Sequence, residues 1–181
     1  MDKLALMVDF PKLAPPARFE ITSPRTVAYN CIAWAAGETQ RKWWPDKMGV
    51  AYWPKGVPRE ATLAAFVAAY ATLGYQECDN GKLEPGYEKI AIFTKPAGTP
   101  AHAARQLPNG RWTSKLGNEF DIEHDLPGVE CSQYGQVRQY LKRSGLRKRR
   151  FRVRRPALRA GDSGGERTGS GERRHPLRGQ K

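Results

Sequence analysis

Cysteine is scarce in this chain: Cys31, Cys78 and Cys131 are the only three in 181 residues. So few, and an odd number, do not suggest a disulfide framework. Successive cysteines lie 47 and 53 residues apart and no C-x-x-C occurs, so the spacing of a structural zinc site is missing as well. Histidine is equally rare, with His102, His124 and His175. No apolar run approaches the roughly 18 residues that a membrane-spanning helix needs. The N-terminal stretch is broken by Asp9 and by Pro11, Pro15 and Pro16. It lacks a basic start followed by a sustained apolar segment, so no signal peptide is expected. These deficits together lead us to expect a cytoplasmic protein with no metal and no organic cofactor.

A formal charge of +13 looks like a nucleic-acid signature until it is divided along the chain. Residues 1–141 hold 16 Lys+Arg and 15 Asp+Glu, a net of +1, whereas residues 142–181 hold 15 and 3, a net of +12. The basicity therefore belongs to the last 40 residues. Beyond residue 142 the only aromatic is Phe151, and the composition passes into Gly, Ser, Arg and Glu. A segment of that kind buries too little apolar surface to offset its ordering entropy. It is expected to be a disordered tail, able at most to contact nucleic acid or an anionic surface non-specifically through its charge.

What is present falls into three parts: an irregular, proline-rich lead-in over 1–17, a domain over 18–141 and the tail. Within the domain a helix is expected over 26–37. A second is expected over 58–73, where Leu63, Phe66, Val67, Tyr70 and Leu73 recur at three- and four-residue spacing and Gly74 supplies a stop. Between them, Trp43-Trp44 and Tyr52-Trp53 read as loop or core packing before they read as a cleft wall. Strands are expected at 75–78 and 89–94. A hairpin over 102–107 and 111–116 is marked by Pro108-Asn109-Gly110. A last short helix is expected over 133–143. Helices followed by antiparallel strands make an α+β domain.

The chemistry gathers at Tyr29-Asn30-Cys31-Ile32-Ala33-Trp34. Asn30 suits an N-cap, which puts the thiol in the first helical turn, where unpaired N–H groups and the helix dipole favour thiolate. A cysteine nucleophile needs a base within hydrogen-bond reach. His175 lies in the tail and His124 in an acidic stretch. His102 begins a strand and is flanked by Ala101, Ala103 and Ala104, small neighbours that leave a thiol room to approach. His102 is the expected base.

This order resembles the papain-like fold of the NlpC-type cysteine peptidases and amidases. Asn30-Cys31 stands at the start of the family's nucleophile helix. Glu84-Pro85-Gly86-Tyr87 leads into the strand Glu88–Phe93, and His102-Ala103-Ala104-Arg105 opens the strand of the family's histidine. The chain departs from the family where Asn-Cys-Ile-Ala replaces Asp-Cys-Ser-Gly and Gly86-Tyr87 replaces a Gly-Asp turn. The resemblance implies helices packed on an antiparallel sheet and hydrolysis or acyl transfer at a peptide or amide bond. It also implies a third polar residue that orients the histidine. Asp121 is the first choice for that role, because a carboxylate stabilises imidazolium best; Glu123, Ser114 and Thr113 are the other candidates. A second function class is a domain of the same fold that binds a protein partner and leaves the thiol unused.

Overall fold

The computed structural model describes residues 2–145. In chain order these form α1 (Asp2–Asp9), a 3₁₀ turn (Pro11–Leu13), β1 (Phe19–Ser23), α2 (Cys31–Ala36), α3 (Leu63–Ala71) and β2 (Gln76–Cys78). Then follow β3 (Tyr87–Thr94), β4 (Pro100–Gln106), β5 (Trp112–Lys115), β6 (Asp121–His124), a second 3₁₀ turn (Leu126–Val129) and β7 (Gln136–Ser144). The seven strands make one sheet in the order β1-β6-β5-β4-β3-β7-β2, with every neighbouring pair antiparallel. The domain is thus α+β, with few helices. No helix among the described residues is long and apolar enough to cross a membrane.

Because successive strand residues point to opposite faces, the sheet carries two cores. On one face Ile90, Ile92, Ala103 and Leu141 pack against α2, α3 and the buried Trp43 and Trp53. On the other, Ala91, Phe93, Ala104, Trp112 and Ile122 pack against Leu6, Phe10 and Leu13. The first 17 residues are therefore not an irregular lead-in. Their apolar side chains join the second core together with Phe120, Val129 and Tyr134.

Three further expectations are corrected. The helix expected from residue 58 begins at Leu63, where the Thr62 side chain caps it by accepting from the Ala65 N–H. Residues 133–143 are not helical, and β7 pairs along the whole of β3. The sheet also runs past the expected domain end. Lys142 meets Glu84 at 2.9 Å and Arg143 meets Glu88 at 2.6 Å, so the first basic residues assigned to the tail belong to β7. The rest of the tail, with its expected disorder and its nucleic-acid or anionic-surface contacts, lies outside the described residues.

Candidate active site

Cys31 opens α2, a helix of six residues. The Asn30 side chain fixes that start in two directions. Its Oδ1 accepts from the Ala33 N–H at 3.1 Å and the Trp43 N–H at 3.1 Å, and its Nδ2 donates to the Trp43 carbonyl at 2.8 Å. The aromatic loop, held by the Trp43–Tyr52 bridge, is thereby tied to the turn that carries the thiol. At the other end Gly37, at φ +81°, takes the left-handed conformation that stops the helix. From α3 the Tyr70 hydroxyl donates to the Ile32 carbonyl at 3.0 Å.

The thiol itself is buried, at 8% exposure. Burial pushes its pKa up to about 11, against the downward pull of the Ala103, Ile32 and Cys31 N–H groups and the Lys115 charge. Desolvation disfavours the charged form, so the resting Cys31 is a neutral thiol. The expectation that the first turn of a helix would make it a thiolate is overturned by that burial.

His102 is fully enclosed. Its ring stacks on Tyr134 at 4.1 Å between centroids and meets Phe93 edge-on at 5.2 Å. Gly135, next to Tyr134, permits the approach, since a Cβ there would collide with the Thr94 carbonyl. His102 Nε2 lies 2.9 Å from Ser114 Oγ, which lies 2.8 Å from His124 Nε2; His124 Nδ1 lies 2.8 Å from the Asp125 carbonyl.

This chain assigns every proton in it. A carbonyl only accepts, so His124 Nδ1 carries a hydrogen. Burial lowers the His124 pKa to about 4, so the ring is neutral and its Nε2 must accept from the Ser114 hydroxyl. Ser114 has one hydrogen, so it accepts from His102 Nε2–H. Burial, followed by the neighbouring His124, holds His102 well below the ordinary histidine value, so this ring is neutral too. Its Nδ1 then bears a lone pair. That nitrogen is buried and has no hydrogen-bond partner among the described residues.

The residue on the His102 ring is therefore Ser114, not Asp121. Antiparallel pairing of Arg105 with Thr113, continued one step, sets Ser114 beside Ala104, on the side of β4 to which His102 also points. Asp121 pairs with Lys115 and faces the other way. Its Oδ2 accepts from the Ser23 hydroxyl and from the Tyr29 hydroxyl at 2.6 Å. Thr113 Oγ1 accepts from Trp34 Nε1 at 3.2 Å, and Glu123 pairs with Arg111 at 2.9 Å. Sequence reasoning set His124 aside as the base and singled out neither Lys115 nor Tyr134. The alternation of Ile122 and His124 in β6 was a usable signal for the first of them.

Cys31 and His102 come together only in part. The thiol reaches the backbone N–H of Ala103, the residue after His102, and belongs to the α2-facing core with Ala103. The imidazole leaves β4 toward the second core. No hydrogen bond joins Sγ to either ring nitrogen.

The comparisons with known proteins add a family and no activity. The family model described as "Domain of unknown function (DUF7689)" matches residues 20–142, and the chain belongs to that family. No curated protein and no solved structure matches the chain.

Proposed function

Starting from a family with no assigned activity, we propose that the domain is a papain-like thiol hydrolase of the NlpC type, acting on a peptide or amide bond. Cys31 is the nucleophile, His102 the general base and Ser114 the residue that holds the base. The thiol proton passes to His102 Nδ1 as sulfur bonds to the substrate carbonyl carbon and the carbonyl electron pair moves to oxygen. Collapse expels the amine, which takes the proton from Nδ1. Water, activated by the same nitrogen, then releases the acyl group from sulfur.

The observation that carries this reading is the hydrogen-bond chain through Ser114, which leaves His102 Nδ1 with a free lone pair and no partner among the described residues. A buried polar atom with nothing to bond is uncommon in a folded domain. Among the described residues four such atoms occur, on Trp43, His102, Gln106 and Asp121, and the one on His102 belongs to the residue adjacent to the amide that contacts the thiol. At rest Sγ and the His102 ring lie toward different cores, so this reading requires the imidazole to turn toward the thiol when substrate binds. Both groups are neutral at rest, so proton transfer waits for the substrate.

The raised thiol pKa and the full burial of His102 favour a second reading, a protein-binding domain in which Cys31 is core packing. Incubation with p-nitrophenyl acetate separates the two. The hydrolase forms an acetyl thioester on Cys31, mapped by mass spectrometry and absent from Cys31→Ser. If the folded protein is never acetylated at Cys31, the hydrolase reading fails.

A further inference from the structure

A buried lysine lies along the thiol. Lys115 ends β5 and is fully enclosed, an unusual place for an ammonium, which loses its hydration there. Its Nζ donates to the Glu119 carbonyl and stands 5.6 Å from the centre of the Tyr29 ring. No carboxylate pairs with it among the described residues. Asp121, its cross-strand neighbour, spends Oδ2 on Ser23 and Tyr29 and leaves Oδ1 buried and unbonded.

The alignment of α2 on β5 puts this charge under Cys31. Trp34 bonds Thr113 across the interface. Cys31 lies one turn back on the same helix face, three residues away, and Lys115 lies two residues on along the same strand face. The thiol feels the Lys115 charge from this side and takes the Ala103 N–H from β4.

We propose that Lys115 is the fixed cation that stabilises the anion formed at Cys31 during acyl transfer, keeping its own proton throughout. This rests on the thiol-hydrolase reading. It gives an electrostatic role to a residue outside the nucleophile–base–holder set. The ionisable groups that bear on the thiol are Tyr70 from α3, Lys115 from β5 and Tyr134 ahead of β7, and Tyr29 and Asp121 stand against Lys115. Of these, Lys115 is the basic group: burial lowers its pKa, and the charges of Asp121 and Glu119 oppose that fall.

The test is the pH dependence of Cys31 alkylation by iodoacetamide in a Cys78→Ser, Cys131→Ser background, with Lys115→Met and Asp121→Asn compared. Lys115→Met should raise the thiol pKa by at least about one unit, a tenfold loss of thiolate at fixed pH, and slow acetylation by p-nitrophenyl acetate in parallel. Asp121→Asn removes the opposing carboxylate, should shift the titration the other way, and serves alone if Lys115→Met does not fold. A thiol titration that neither substitution moves overturns the proposal, even if Cys31 is acetylated normally. A titration that moves as described, in a protein whose Cys31 is never acetylated, upholds the charge coupling and removes the hydrolase reading instead.

Discussion

Ser114 Oγ stands 2.9 Å from His102 Nε2, and that contact decides which nitrogen of the ring is basic. Without it the buried imidazole has no reason to prefer one tautomer. With it, and with His124 behind it, the proton stays on Nε2 and the lone pair on Nδ1. Ser114→Ala should therefore leave the Nε2 atoms of two enclosed imidazoles unbonded and destabilise the fold by about 1–3 kcal/mol. Long-range proton–nitrogen correlation NMR should report Nε2–H for His102 in the wild type and a mixture of tautomers in the variant. A single Nδ1–H form in the wild type would refute the assignment.

Acid should weaken the fold before the carboxylates titrate. Both His102 and His124 have folded-state pKa values below the ordinary 6.5. As pH falls through 6.5 the unfolded chain takes up protons that the folded one refuses, so stability present above 6.5 is lost toward pH 4. Two such groups give a slope of up to about 2.7 kcal/mol per pH unit once both are protonated in the unfolded state. Urea midpoints between pH 7 and pH 5 measure this, and a His124→Asn variant should halve the slope. A flat profile in the wild type would exclude the neutral, buried pair.

The resting thiol should be sluggish toward simple alkylation. With its pKa raised to about 11, Cys31 should react with iodoacetamide at neutral pH more slowly than an unfolded cysteine. Its rate should climb about tenfold per pH unit up to about pH 10. A plateau near pH 7 would mean that a thiolate is already present.

Asn30 should matter out of proportion to its size. Its side chain caps α2 and also holds both polar groups of the Trp43 backbone. Asn30→Ala removes a cap worth about 1 kcal/mol and leaves the Trp43 N–H and carbonyl without their partner. A total loss of about 2–3 kcal/mol follows from a cap plus the two broken Trp43 contacts, measurable by denaturant melts. A loss below about 0.5 kcal/mol, the scale of an ordinary surface change, would show that the loop is anchored elsewhere.

Much of the candidate site could be read from the sequence because its signals are local. Asn30 before Cys31 is a cap, Asn109-Gly110 is a turn, and His102 falls near the start of a strand, β4, which begins at Pro100. The residue holding His102 could not be read, because it depends on register. Thr113, Ser114 and Asp121 differ only in which face of β5 or β6 they occupy, and a shift of one residue exchanges those faces. The β5–β6 turn between Leu116 and Phe120 gives no independent clue. β7 was misread for a related reason. Its pairing with β3 skips Arg138, Gln139 facing Ile92 and Val137 facing Phe93. That bulge puts Val137, Tyr140 and Leu141 at helical spacing inside a strand. α1 was missed because the prolines that follow it draw attention from Leu6 and Phe10, which only the second core explains.

The measurement closest to the central claim is the rate of Cys31 acetylation by p-nitrophenyl acetate against pH, in the wild type and in His102→Gln. If Nδ1 is the general base, the substitution should cost about 10²–10⁴-fold at neutral pH. The two curves should then converge as hydroxide deprotonates the thiol at high pH. Equal rates at pH 7, with Cys31 acetylated in both, would contradict the account, because the thiol would then be reacting without the imidazole proposed as its base.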